Sequence, residues 1–435
     1  MATRTARDEA TELLQELLRL DTTNPPGNET AAAELLRDYL ENAGLECQLL
    51  AAEPDRANLV ARIPGTGDGK RLLLLGHTDV VPADPEDWTV GPFSGELKDG
   101  CIWGRGALDM KSQVAAEAVA MATLAREGFE PAGDLIFAAT ADEEDGSAAV
   151  GLSWLCRAHP DAIRAEYCVN EGGGDRTTAG GRTLVLCAVA EKRSSPFLLR
   201  VRGRAGHASV PGIADNALVK AAPLIDRLGR IAPERRLGPE TSAFLEALTG
   251  SVPAIEELDA ELAAMHPELR ALLEPMLALT VSPTMIRAAR ARNVIPAVCE
   301  VTCDCRILPG QSWEEVESEV RTCLGPGEYE LEQIESVGGT RSSLHTPLWE
   351  AIASWVDRED PGAALAPVVL AGFTDSHYLR EAFGTIAYGF FPIRTMSSEE
   401  ASLLVHSADE RIPVDDLELG TRFLVDVARA VAAPS

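Results

Sequence analysis

The sequence has no internal repeat, no low-complexity tract and no uninterrupted apolar run long enough to span a bilayer, and it is short of positive charge. Basic residues number 39 against 68 acidic ones, a formal net charge of −29 at pH 7. Such a field repels phosphate backbones and anionic membrane surfaces, so neither nucleic acid nor membrane is expected as a partner. The nine cysteines, at 47, 101, 156, 168, 187, 299, 303, 305 and 323, lack a pairing pattern: their number is odd and their spacing scattered, and they read as free thiols. The opening MATRTARDEATELL carries charges every few positions and no apolar core. It reads as neither a signal peptide nor an anchor, which gives the expectation of a cytoplasmic protein.

What is present is enough for a folded protein of more than one domain: 435 residues, 46% hydrophobic and 25% charged. Helical spacing of apolar residues runs from Asp8 to Leu20, the turn-forming DTTNPPG interrupts it, and a second helix is expected at Glu29–Ala43. Short apolar runs follow at Asn58–Ile63, Arg71–Leu75, Asp134–Thr140 and Tyr167–Asn170, with a helix at Lys111–Glu127 between two of them. That alternation predicts an α/β sheet. After Glu191 the texture changes. SPFLLRVRGRAG and CEVTCDCRI alternate like half-solvated strands, helices are expected at Asn216–Leu228 and Ser312–Cys323, and a last strand at Tyr329–Glu335, together an α+β unit. From Thr346 the αβ alternation returns, with a helix at Pro347–Asp357, a strand near Pro367–Ala371 and a closing helix at Val414–Ala432. The expected organisation is a first domain in two pieces, 1–190 and 338–435, interrupted by a second at 191–337 that carries a Pro-punctuated helical insertion at about 232–279.

The residues with chemistry to offer sit at strand ends. RLLLL runs into Gly76-His77-Thr78-Asp79, an imidazole and a carboxylate where ligands bind in α/β sheets. Taken alone this is a metal ligand with its orienting acid, or a His-Asp surface pair. WGRGALDMK places Asp109 at the mouth of a helix, as an N-cap or as a carboxylate able to bridge cations. DLIFAAT runs into Asp142-Glu143-Glu144-Asp145, four acids that repel one another unless solvent or cations offset them. If a metal is present, one such carboxylate coordinates while its neighbour takes a proton from water. Glu171 follows a further strand, ahead of three glycines, and His406 stands in VHSADE near the end of the chain. Each signal is weak alone; their convergence at successive strand ends is not.

The motifs GHTDVVP, WGRGALDMK, ATADEEDGS, NEGGG and VHSADE, in that order over nearly the whole chain, resemble the M20 metallopeptidase and amidohydrolase family, the group of aminoacylase-1, carboxypeptidase G2, succinyl-diaminopimelate desuccinylase and acetylornithine deacetylase. The resemblance implies a zinc-exopeptidase-like catalytic domain, a mixed sheet flanked by helices, interrupted by a ferredoxin-like α+β lid that also dimerises. It implies two zinc ions per subunit: His77 on one, Glu144 and His406 on the other, Asp109 bridging, and Glu171 where the family has Asp or Glu. Mixed imidazole and carboxylate donors suit zinc, and manganese or cobalt can use the same set. Asp79 resembles the residue that orients the first histidine, and Glu143 the general base acting on a bridging water.

In the lid, GRAGHAS at 203–209 resembles the segment whose histidine, here His207, reaches the neighbouring subunit's site and steadies the oxyanion. Asn293 and Arg306 resemble the grip on a substrate carboxylate. Gly372 and Thr374, in GFTDSH, resemble a loop around the same carboxylate, although Phe373 stands where relatives have glycine and reshapes the pocket. The implied activity is hydrolysis of an amide bond beside a free carboxylate in an N-acyl amino acid, a dipeptide or a peptide C-terminus, as by a carboxypeptidase or an aminoacylase. The alternatives are an N-succinyl or N-acetyl deacylase of a biosynthetic intermediate, or a relative that has lost catalysis. The insertion resembles the carboxypeptidase S branch. The alternating Cys303 and Cys305, with Cys299, read as buried thiols rather than a structural zinc site, and His377 as a weaker metal candidate than His406.

Overall fold

The computed structural model describes residues 4–179 and 181–433. Residues 1–3, 180, 434 and 435 lie outside it, and with them the first three positions of the charged opening segment and the ends of the first and last expected domain pieces.

A run such as Leu72-Leu73-Leu74-Leu75 has no polar face, so as a strand it must be covered on both sides. Leu72 and Leu74 point into one core with Phe137, Val114 and Met121, while Leu73 and Leu75 point into another with Ile136, Leu152, Leu155 and Leu379. The strand Leu72–His77 is thus the middle of a three-layer arrangement. Helix Lys111–Arg126 covers one face and is itself buried nearly all round, because helices Ala6–Leu18 and Val414–Ala432 pack on its far side. Small alanines along it allow that close approach. Helices Leu152–Ala158 and Ser376–Phe383 cover the other face.

The large sheet is mixed and nine-stranded. Its order is Glu46–Ala51, Ala57–Ile63, Leu135–Thr140, Leu72–His77, Tyr167–Asn170, Ile386–Gly389, Arg182–Glu191 and Ala363–Leu370, with Arg176–Ala179 pairing beside Arg182–Glu191. Leu135–Thr140, Leu72–His77, Tyr167–Asn170 and Ile386–Gly389 run parallel, so their carboxyl ends meet along one edge. The strand expected near 367–371 begins earlier, at Ala363, and takes Pro367 in its middle. It ends the sheet order, where a missing N–H on the open side costs no ladder bond.

The second sheet has six strands around Val298–Ile307, whose alternate residues Cys299, Val301, Cys303, Cys305 and Ile307 are buried with Phe197, Leu199 and Val201 beneath helices Ala217–Leu228 and Trp313–Leu324. The cysteines there fill core volume as small apolar groups, and all nine are unpaired. Asn216 and Ser312, expected as first helical residues, are N-caps; the Ser312 hydroxyl accepts from the Glu315 amide. Thr280–Arg287 is an edge strand paired only with Val298–Ile307 among the described residues.

The helical insertion, Pro239–Thr249, Leu258–Ala264 and Pro267–Leu277, interrupts the second unit in sequence yet packs on the first in space. Phe244, Leu245, Leu273 and Met276 join the core of the large sheet, and the first and last of these helices lie against its edge strand Ala363–Leu370. Where the chain passes between sheets, buried Lys192 donates to the carbonyl of Ala278 at 2.8 Å and to Thr280 Oγ1 at 3.4 Å, joining the exit and return segments. No helix among the described residues is long and apolar enough to cross a membrane.

Candidate metal centre

At the joined carboxyl ends of the parallel strands stand two imidazoles and four carboxylates. His77 is the last residue of its strand and is buried. Its Nε2 lies 3.2 Å from Asp109 Oδ1, 3.7 Å from Glu171 Oε2 and 3.9 Å from Glu143 Oε2. His406 comes from the far end of the chain, and its Nε2 lies 3.0 Å from Asp109 Oδ2 and 3.2 Å from Glu144 Oε2. Asp109 therefore presents one oxygen to each histidine. It caps no helix: Lys111–Arg126 starts two residues later with no side-chain cap at all. His77, Asp109, Glu143, Glu144, Glu171 and His406, read separately from the sequence, form one cluster.

Too many negative charges meet here for the protein alone. Burial first, and then its carboxylate neighbours, push Glu171 up to about 6, and burial with the nearby Glu171 pushes Glu143 well above the usual carboxylate range. Hydrogen bonds to Asp109 and Glu144 push His406 up to about 10. Glu144 Oε1 is buried without any hydrogen-bond partner among the described residues. An orphaned carboxylate oxygen inside a crowd of acids and imidazoles is the donor set of a divalent cation. Two triads have ligand atoms close enough to share one ion, His77 with Glu143 and Glu171, and His77 with Asp109 and Glu144.

Behind the cluster lies a network that the sequence did not disclose. Asp79, expected to hold the His77 ring through its carboxylate, does so mainly through its backbone: His77 Nδ1 is 3.0 Å from the Asp79 carbonyl oxygen and 3.6 Å from Oδ1. The carboxylate instead accepts from the amides of Glu143 at 3.2 Å and Glu144 at 3.0 Å, and from Asn24 Nδ2 at 2.9 Å. It positions the paired acids as much as the histidine. Asn24, Arg56 and Glu29 extend this support: Asn24 also donates to Asp142, and Arg56 binds Glu29 through two nitrogens at 2.6 and 2.7 Å. Glu410, two positions beyond the SA of VHSADE, accepts from the amides of Gly106, Leu108 and Asp109 and from Arg105, which fixes the loop carrying Asp109. Its place in the motif was the available signal. Asp375, buried with its carboxyl pushed up to about 7 by desolvation, accepts from Thr140 Oγ1 at the root of the acidic turn.

The remaining expected residues are held elsewhere. In the second unit, His207 and Asn293 lie together, since Gly206–His207 pairs with Val294–Ile295 and the Ala208 amide donates to the Asn293 carbonyl. His207 is exposed, and its Nδ1 lies 2.7 Å from Ser209 Oγ. Arg306 is engaged with Asp304 at 3.1 Å. Thr374, expected in the loop around the substrate carboxylate, is buried: Oγ1 accepts from Asn170 and Ser376, and its amide donates to Glu191. Gly372 stays exposed. Phe373 packs over Gly338, where any Cβ would come within 2.8 Å of it, and edge-on to His377. His377 donates to or accepts from no acid of the cluster among the contacts described; its Nδ1 meets the Thr374 carbonyl at 2.7 Å, and burial lowers it to about 4.

A mixed α/β sheet with a cation site of this donor set at its strand ends defines a class of metal-dependent hydrolases. The model of peptidase family M20/M25/M40 matches residues 73–430, and the chain belongs to that family. It is 30% identical over 419 residues to a succinyl-diaminopimelate desuccinylase of Cereibacter sphaeroides, covering 93% of this chain and 94% of that enzyme. It is 28% identical over 435 residues to aminoacylase-1 of Sus scrofa, covering 97% and 96%. Among solved structures, an M20 family metallo-carboxypeptidase from Sulfolobus solfataricus superposes with a TM-score of 0.73 at 19% identity, over 98% of this chain and 100% of that one. The protein is a hydrolase of the peptidase and amidohydrolase class.

Proposed function

We propose that the protein is a two-metal hydrolase of amide bonds that lie beside a free carboxylate, as in an N-acyl amino acid, a dipeptide or a peptide C-terminus. The observation that carries this reading is Asp109, whose two oxygens face two different imidazoles, with a further carboxylate beside each. In it, His77 and Glu171 would hold one cation and Glu144 and His406 the other, with Asp109 offering an oxygen to each. Zinc, or manganese or cobalt in the same donors, would polarise the scissile carbonyl and acidify an attacking water.

The chain's own groups do the rest. Glu143, 3.9 Å from the His77 imidazole and kept basic by its burial among acids, takes the proton of the attacking water and returns it to the leaving nitrogen. Asp79 holds the backbone of Glu143 so that its carboxylate faces the cluster. Arg306 and Asn293 grip the substrate carboxylate, for which Arg306 must exchange Asp304 for the substrate. His207 steadies the oxyanion of a neighbouring subunit. The supporting feature is the edge strand Thr280–Arg287, which exposes Met285 and Ile286, next to a helix that exposes Leu218 and Val219; a second copy would cover these. Nine unpaired thiols fit a reducing cytoplasm.

The test pairs metal analysis with turnover. Glu143→Gln should retain the metal content of the wild type and lose about 10²- to 10⁴-fold in kcat on N-acyl amino acids and dipeptides. A protein that takes up no zinc or manganese, or a Glu143→Gln variant as active as wild type, would refute the mechanism.

A further inference from the structure

A recess of about 230 Å³ opens beside the cluster, and two of its walls are Asp109 and Glu171. Apolar walls come from Met110, Phe391, Ile393, Ala401 and Val405, the uncharged polar Gln113 and Ser402 interrupt them, and Asp175 adds another carboxylate. Among the described residues none that lines it is basic. The walls are rigid for local reasons. Phe391 is seated against Gly420 of the closing helix, where any Cβ would come within 2.2 Å of its ring, and its carbonyl lies against Gly174, whose φ of +103° no other residue adopts readily. Helix Ser398–Leu404 closes the outer side and hands the chain directly to His406.

We propose that this recess is the acyl pocket of the enzyme, and that it admits an uncharged apolar acyl group no larger than one ring or a short branched chain while rejecting an acidic one. The assignment rests on the amide-hydrolase reading above. A group inside the recess is within reach of a carbonyl placed between the two imidazoles, because the same Asp109 and Glu171 border both. The proposed carboxylate grip, Arg306 and Asn293, belongs to the second unit, so the group entering here is the one across the scissile bond from that carboxylate. Its size follows from the volume, which is below the range of pockets that take drug-sized ligands. Its charge follows from Asp175: a second carboxylate in the recess would meet like charge without a cationic side chain in the lining to offset it.

The experiment uses the zinc-loaded full chain with N-acetyl, N-isovaleryl, N-benzoyl and N-succinyl derivatives of one amino acid. The isovaleryl or benzoyl substrate should exceed the succinyl one in kcat/KM by at least about 100-fold. Ala401→Phe, which fills the recess, should lower the benzoyl-to-acetyl ratio about 10-fold, and Ile393→Ala, which enlarges it, should raise that ratio. Zinc content and circular dichroism identify a variant that has not folded, in which case the other variant decides. Preference of the wild type for the succinyl substrate, or ratios unmoved by the folded variants, would overturn the pocket while leaving amide hydrolysis intact. Hydrolysis of none of the four, nor of dipeptides, would overturn the amide-hydrolase reading and the pocket with it.

Discussion

His406 and His207 are both solvent-exposed histidines in short segments, and the structure treats them in opposite ways. His406 sits at a positive φ of 60° and meets two carboxylates brought from 262 and 297 positions upstream, Glu144 and Asp109, at 3.2 and 3.0 Å. Among the contacts described, the His207 ring meets only Ser209, two positions away, whose hydroxyl lies 2.7 Å from Nδ1 and whose amide donates to it at 3.3 Å. The first belongs to a site that a single chain assembles, with backbone strain tolerated because several long-range contacts hold it. The ring of the second, among the contacts described, meets only its own turn. The same contrast holds for the arginines: Arg56 is buried and bound on several sides behind the cluster, whereas Arg306 is partly exposed and rests on its strand neighbour Asp304.

If that difference means that the second unit completes the site of another subunit, replacing its residues should damage catalysis without touching the metals. His207→Ala is expected to lower kcat by about 10²- to 10³-fold, as loss of one oxyanion donor does, with metal content unchanged. Co-expression with Glu143→Gln sharpens the point. Random pairing makes half of the dimers mixed, each with one competent site of two, so about a quarter of wild-type activity should return if the histidine acts across a symmetric dimer. No recovery, or a fully active monomer by light scattering, would make the two histidines parts of one chain's site.

Arg306→Ala is expected to have a smaller effect, raising KM about 10- to 100-fold for substrates with a free carboxylate, the worth of a charge-assisted hydrogen bond. The corresponding amides should be hydrolysed equally by variant and wild type. A uniform loss on both would assign Arg306 to the fold through Asp304 rather than to the substrate.

The smallest expected effect is a pH slope confined to the metal centre. Without metal, Glu171 titrates at about 6 in the folded protein rather than its ordinary 4.5, chiefly through burial, and His406 at about 10 rather than 6.5, chiefly through Asp109 and Glu144. Both groups then bind more protons folded than unfolded, between 4.5 and 6 for the glutamate and between 6.5 and 10 for the histidine. Stability therefore falls as pH rises through those windows. The metal-free protein should melt roughly 2–4 °C lower at about pH 8.5 than at about pH 5.5 in differential scanning calorimetry. Zinc should remove the slope by neutralising the cluster. A slope that zinc leaves in place would locate the titration in the second unit instead.

Much of the fold was legible because it is local. The buried strands Leu72–His77, Leu135–Thr140 and Tyr167–Asn170 announce themselves as apolar runs, and the acids and imidazole that follow them stand where parallel strands must end together. His77, Asp109, Glu143, Glu144, Glu171 and His406 could thus be named before their distances were known. The roles of Glu410, Asn24, Arg56 and Asp375 could not, because nothing in their own segments shows which remote groups they meet. Glu410 reaches Gly106 across 304 positions, and Asn24 reaches Asp142 across 118, from within a segment that reads only as a turn. The exchange of roles at Asp79, from ring partner to anchor of the acidic turn, depends on a difference between 3.0 and 3.6 Å.

By itself the sequence determined which residues are polar at the ends of apolar strands, and so which groups are available to hold cations and move a proton. That is a consequence of chain periodicity and side-chain chemistry. Only the tertiary structure decided that Asp109 faces both imidazoles, that the insertion at about 232–279 shields the large sheet rather than the unit it interrupts, and that a recess with no basic residue among the described residues of its lining borders the cluster. Each of these is a relation between segments far apart in the chain, set by how helices and sheets pack, and no local pattern carries it.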